Sequence, residues 1–163
     1  VKSLLLKKNG LNFYKSYYLQ KSLKLPYIDA KIAISKDYFT KNIKQKWITN
    51  IHSRKRSHLL RSMYNCIIST SKSINDDNAL LDCRIEGLEK KSPDLIIIDR
   101  KLKLRKKLKL YRTVKNRKII IFTTEKNKKK IMFFKKKGLK VIIIRSLKTS
   151  QDYKKLFFKY VNQ

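Results

Sequence analysis

The stretch KQKWITNIHSRKRSHLLR, residues 44–61, holds the chain's only tryptophan and both of its histidines. Arg54, His58 and Arg61 stand at i, i+4 and i+7. At 100° per residue they fall within about 60° of one another and make one stripe of a helix. Leu59, Leu60 and Met63 lie on the far side and are expected to face a core, with Arg56 intruding among them. Two readings of the stripe stay open. It is a solvated basic face, or it offers the guanidinium fork of Arg61 to a phosphate. His58 has no triad partner beside it and reads as a hydrogen-bonding residue. Trp47 is either core or, at the lip of a sheet, a stacking surface for a planar ring.

A second candidate is Lys31, which shares one face of the alternating run YIDAKIAIS (27–35) with Asp29 and Ala33. A lysine inside an apolar strand is costly unless it snorkels or finds a partner. That makes it a candidate for polarising a carbonyl or imine. Asp76, Asp77 and Asp82 lie near Arg84, where the plain reading is a local salt-bridge cluster. No G-x-G-x-x-G follows a strand and no Walker motif is present, so neither a dinucleotide fingerprint nor a P-loop is supported. No C-x-x-C or H-x-E occurs, which argues against a zinc finger or zinc deaminase.

The elements that must position these residues follow from periodicity and punctuation. Pro26 disfavours helix at Leu25 and sets up the extended run 27–35 as a first strand. Asn50 is placed to cap a helix running to about Tyr64. NCIIS (65–69) reads as a short buried strand with Cys66 inside. Residues 71–84 read as a polar turn region with one helical turn. LIIID (95–99), KIIIF (118–122) and VIIIR (141–145) are uninterrupted apolar strands, expected where both sheet faces are covered. EKNKKKIMFFKKKG (125–138) reads as a helix capped by Thr123 or Thr124 and stopped at Gly138. SQDYKKLFFKYV (150–161) is a last amphipathic helix. Residues 1–25 are basic, aromatic and helical in part. Strands alternating with helices indicate an α/β domain with a mostly parallel sheet, which binds ligands beyond the carboxyl ends of its strands.

With 163 residues, 42% of them hydrophobic, the chain has enough for one domain with a core. Its 43 Lys+Arg against 11 Asp+Glu give a net charge of +32, which points to nucleic acid or another polyanion. Lysine is spread along the whole chain, however, and abundant Lys, Ile and Asn with only 3 Gly and 2 Pro is what an A/T-rich genome writes into any protein. Two cysteines make no disulfide framework, no apolar run approaches a membrane span, and VKSLLLKKNG, without a long apolar core or small-residue cleavage site, is not expected to be a secretory signal. A reducing cytoplasm is the expected location.

The segments LPYIDAKIAISKDY, QKWITNIHSRKRSHLLRS, CIISTSKSINDDNALLDCR and PDLIIIDR, in that order, resemble the reductase half of the bifunctional riboflavin-biosynthesis deaminase–reductase. The W-I-T-x4-R-x3-H-x2-R pattern is intact, and the likeness covers residues 26 to about 100 closely and extends loosely to 145. It implies a dihydrofolate-reductase-like three-layer domain. It also implies NADPH-dependent reduction of the ribosyl group of 5-amino-6-(5-phosphoribosylamino)uracil. By the resemblance, Ala33, Trp47, Thr49, Ser73 and Asp77 line the NADPH site. Lys31, Gln45, Arg61, Leu81 and Arg84 meet the substrate, with Lys31 at the sugar carbon that accepts hydride and the two arginines at the phosphate. No metal is implied. A homodimer is expected for the full-length form.

The chain departs from the pattern at Tyr38 and Thr70, where the family has Gly, at Gln45 for Ser, at Ser73 for Thr and at Ala79 for Pro. A Gly-containing E-G-G segment that cradles the cofactor phosphates is expected beyond Gln163, together with the last strands. The chain, which opens without Met, is therefore expected to be a piece of a longer protein: residues 1–25 a lead-in from a deaminase domain, 26–163 a C-terminally incomplete reductase domain. A basic nucleic-acid-binding module and an inactive remnant of the reductase are the alternatives, and non-specific polyanion binding accompanies any of them.

Overall fold

Four apolar runs form four parallel strands. The computed structural model describes residues 7–40 and 47–161. β1 (Cys66–Thr70), β2 (Asp94–Ile98), β3 (Ile119–Thr123) and β4 (Lys140–Ile143) lie side by side in chain order. Leu95 pairs with Ile67 and with Ile119, so these three point to one face, and Ile68, Ile96 and Ile120 point to the other. The first face carries the main core. There Leu95, Ile97, Ile119 and Ile121 meet Ile74, Phe134 and the leucines 102, 104, 108 and 110 of the β2–β3 connection. All three crossovers thus lie on one face, as right-handed connections between neighbouring parallel strands require. Ile96, Ile120, Phe122 and Ile142 are buried on the other face. Burial on both sides explains why the runs do not alternate with polar residues.

Capping follows side-chain chemistry. The Asn50 side chain accepts from Ser53 N at 2.9 Å and starts the helix Ile51–Met63, here α3 after two shorter N-terminal helices. Thr70 accepts from Ser73 N at 3.2 Å and opens α4 (Ser71–Asp77), so 71–84 holds a two-turn helix instead of a single turn. In α5 (Lys128–Lys136) the cap is Asn127, not Thr123 or Thr124. Both threonine hydroxyls donate instead to Arg100 O at 3.0 Å and tie the ends of β2 and β3 together. Gly138 stops α5 at φ 85°, a left-handed conformation that glycine adopts without strain. Cys66 is half-buried because β1 is an edge strand, while Cys83 is buried; neither is in a disulfide.

Residues 34–149 form one compact unit. Residues up to 33 and from 150 onward form another, with α1 (Lys7–Phe13), α2 (Lys15–Leu23) and α6 (Ser150–Val161). The run 27–35, expected as the first strand, is not a strand. Ile28, Ile32 and Ile34 are exposed, and no described strand pairs with them. Alternation marks a chain fit for a sheet, but a strand exists only where a neighbour supplies the ladder. Lys31 is exposed, so it bears no burial cost and the desolvation argument for its chemistry falls away.

Candidate functional site

The residues between α4 and β2 carry no regular structure through 79–84. Yet the main chain is held by a side chain at each of five consecutive residues. The carbonyls of Leu80 and Leu81 accept from the Arg117 guanidinium, the latter at 2.7 Å. Asp82 O accepts from Arg61 Nη1 at 3.0 Å. Cys83 N donates to Ser92 Oγ at 3.0 Å, and Arg84 N donates to His58 Nδ1 at 3.2 Å. The loop includes Leu81 at φ 56°, a left-handed conformation costing an L-residue about 1–2 kcal/mol. Net hydrogen bonds from charged donors, worth roughly 1.5–3 kcal/mol each, are large enough to hold it there.

α3 supplies two of these braces. Its basic stripe is half-buried, and of the three apolar residues expected to face a core Met63 is 71% exposed and Leu59 42%, while Leu60 is half-buried. The reason is what α3 has to pack on. Its neighbour is the polar main chain of the 80–84 loop, Asp82 O and Arg84 N, which guanidinium and imidazole can meet and leucine cannot. Two N–H groups, from Arg84 N and Arg61 Nη1, converge on His58 Nδ1 at 3.2 and 3.3 Å. Nδ1 also lies 3.1 Å from Asp82 O, so whether it donates or accepts there is set by the tautomer of the ring. Burial, then Arg61 and Arg84, push the His58 pKa below its usual value. At the other end of the helix, the Arg54 guanidinium lies over the Trp47 ring at 4.7 Å and donates to Thr49 O at 2.6 Å. Trp47 is 55% exposed, so it is a surface aromatic, not core.

The structure therefore brings together Arg61, Leu81 and Arg84, joined through His58 and Asp82. Arg84 projects outward, with Nε 3.1 Å from Asp82 Oδ1. That carboxylate oxygen is buried and paired by charge without a hydrogen bond. Trp47 and Thr49 are joined to each other through Arg54. Ser73 and Asp77 lie exposed at the first and last turns of α4, with the Ser73 hydroxyl 3.1 Å from that of Thr70. Lys31 and Ala33 belong to the other unit. Gln45 lies outside the described residues. The two departures from glycine are accommodated: Thr70 gains a capping role, and Tyr38 keeps a left-handed φ of 65° in an exposed turn closed by Ser35. Sequence reasoning missed Arg117, Asn75 and Asn78; the two asparagines hold the 103–109 connection to α4.

Two cationic cavities of about 390 Å³ each lie elsewhere in the same unit. One sits beyond the carboxyl ends of β2, β3 and β4, lined by Arg100, Lys101, Thr124, Arg145 and Lys148 among others. This is the edge where open parallel sheets take ligands. The second, lined by Asn78, Lys107, Lys109, Arg112 and Lys137 among others, lies where α4 and α5 end, at the amino edge. No metal-ligand cluster occurs among the described residues, and no described helix is long and apolar enough to cross a membrane.

These features define an α/β domain with a parallel sheet, a cation-lined carboxyl edge and a braced loop presenting arginine. The model of the RibD C-terminal domain family matches residues 26–158, and the chain belongs to that family. Among solved structures it is similar to a diaminohydroxyphosphoribosylaminopyrimidine deaminase/5-amino-6-(5-phosphoribosylamino)uracil reductase from Thermotoga maritima. The identity is 19% and the TM-score 0.74, over 95% of this chain and 42% of that one. Acinetobacter baumannii RibD is similar at 17% and 18% identity in two forms, TM-score 0.72, over 93% of this chain and 41% of that one. At these identities the likeness establishes the fold. The chain spans about two fifths of the length of those proteins. Among curated proteins, none matches it significantly.

Proposed function

We propose that this chain is the reductase domain of a riboflavin-pathway enzyme, reducing the ribosyl group of 5-amino-6-(5-phosphoribosylamino)uracil to the ribityl form at the expense of NADPH. The observation that carries the reading is the 80–84 loop, fixed at each residue and ending on an exposed Arg84 beside half-buried Arg61. An enzyme of this kind needs orientation more than covalent chemistry, because the cofactor supplies the hydride. Arg61 and Arg84 hold the substrate phosphate, Leu81 packs beside it, and Gln45 and Lys31 attend the sugar. Trp47, Thr49, Ser73, Asp77 and Ala33 serve the cofactor. An indole, two hydroxyls and a carboxylate suit its rings and ribose, and the cations at the carboxyl edge suit its phosphates. A cytoplasmic, homodimeric full-length protein goes with this reading.

The test is binding followed by turnover. NADPH is expected to change Trp47 fluorescence, and Arg84→Ala to weaken the phosphorylated substrate by about 1.5–3 kcal/mol while leaving NADPH in place. Wild-type affinity for substrate in Arg84→Ala would remove the phosphate assignment. NADPH oxidation in a version extended beyond Gln163 separates an active reductase from an inactive remnant.

A second reading, binding of nucleic acid, is favoured by one observation. Residues 101–118 contain ten cations and no acid, and nine of those cations are exposed. Tyr111 within the stretch stays a neutral hydroxyl, its pKa pushed up to about 12 by burial and by the charge of Asp99. Such a surface predicts affinity for RNA that falls linearly with log salt.

A further inference from the structure

We infer that Arg117 is the positioning residue of the substrate loop: by clamping the carbonyls of Leu80 and Leu81 it sets the path on which Asp82 and Arg84 are delivered. The inference rests on the reductase reading for what the loop binds, but not for the clamp itself.

Arg117 is 7% exposed, and its guanidinium donates to Leu80 O, to Leu81 O at 2.7 Å and to Pro93 O at 3.1 Å. Its Nε reaches Thr113 Oγ1 at 3.4 Å. Every one of these acceptors is a neutral oxygen. A buried cation spent on main-chain carbonyls is expensive to keep, and it has a geometric return. One planar fork reaches both the start of the loop and Pro93, the residue that leads into β2. The loop is thereby pinned to the sheet one residue ahead of Asp82. Burial lowers the Arg117 pKa from its ordinary value, and the charges of Asp82 and Asp94 oppose that. Asp82 is thus linked to Arg117 by field and to Arg84 by contact, so the internal arginine and the outward one share a carboxylate. Leu81 at positive φ supplies the reason a clamp is needed. Released, the loop relaxes toward ordinary backbone angles and carries Arg84 off its position. Lysine cannot substitute, because an ammonium presents donors around a point instead of across a plane.

The test uses the full chain with Arg117→Lys. Hydrogen–deuterium exchange of residues 79–84 is expected to speed up at least about ten-fold while β1–β4 keep their protection. Ribose 5-phosphate affinity is expected to fall about ten-fold with NADPH affinity, read at Trp47, unchanged. Unchanged exchange in 79–84 overturns the inference. So does an equal loss of protection throughout the sheet, which would make Arg117 an ordinary core brace, or an equal loss of affinity for both ligands. If the wild-type chain binds no ribose 5-phosphate, the reductase reading fails and the exchange result alone decides the clamp. Should Arg117→Lys not fold, the wild-type guanidinium decides: resolved, slowly exchanging Nη protons support the clamp, and a rapidly averaged signal refutes it.

Discussion

Cations do opposite things in two neighbouring parts of this molecule. From Lys101 to Lys118 most of them point to solvent, Arg105 also donating to Asn75 O at 3.1 Å, while Leu102, Leu104, Leu108 and Leu110 fill the core. Around the 80–84 loop they point inward: Arg61 and Arg117, with the neutral His58 ring beside them, hold main-chain atoms, and α3 leaves Met63 and Leu59 outside. Arg117 belongs to both parts, being the single buried cation of the acid-free stretch. Charge density is high in each, so it does not separate them. What separates them is the supply of acceptors. A connection whose own leucines meet the sheet leaves its lysines to water. A loop that turns its carbonyls inward recruits guanidinium to meet them.

If that contrast is right, deleting one inward cation costs far more than deleting one outward cation. Arg61→Ala is expected to lower unfolding free energy by about 2 kcal/mol, the scale of charged hydrogen bonds, because Asp82 O loses its charged donor. Lys106→Ala should stay within about 0.5 kcal/mol, as surface substitutions do. Urea titrations of both variants settle it, and equal effects would erase the contrast.

The next effect is smaller and depends on pH. The folded-state pKa of His58 lies below its unfolded value, so below roughly pH 6.5 the unfolded chain takes up more protons than the folded one. Stability contributed by neutral His58 is present above that pH and lost as pH falls. Protonation also removes the acceptor that Arg84 N uses and adds a third cation beside Arg61 and Arg84. In His58→Gln, whose amide oxygen still accepts, this part of the acid sensitivity should vanish. A pH–stability profile identical to wild type would show that His58 is not the group.

The contrast also marks what the sequence could and could not reveal. The strands of the sheet were legible because a run such as LIIID buries on both faces whatever surrounds it, and Asn50 announced its helix through side-chain chemistry local to one turn. The first strand at 27–35 was not legible as unpaired, since pairing depends on distant chain. The α3 stripe was legible as a stripe, but not as the inward side, because the acceptors it meets lie some twenty residues away. Arg117 looked like one more charge among 43. One signal was there to be read. Only nine of those 43 are arginine, in a composition that otherwise writes lysine. Where a bias toward lysine leaves an arginine, the planar fork is what the position needs. Arg54 over Trp47, Arg61 and Arg117 all fit that rule.

The outward cations give the finest test of the comparison, because their effect on stability is near zero and shows only against a polyanion. Lys106, Lys107 and Lys109 are exposed and line one cavity, close enough to engage neighbouring phosphates together. Replacing all three with alanine is expected to reduce the slope of log affinity for single-stranded RNA against log salt by about two, at roughly 0.7 for each phosphate no longer neutralised. Each replacement should leave unfolding nearly unchanged. A slope that drops by that amount locates binding on this connection. A slope that stays put assigns the attraction to charge spread over the whole chain, in which case the outward lysines are the mark of a genome's composition and only the inward arginines were placed by the fold.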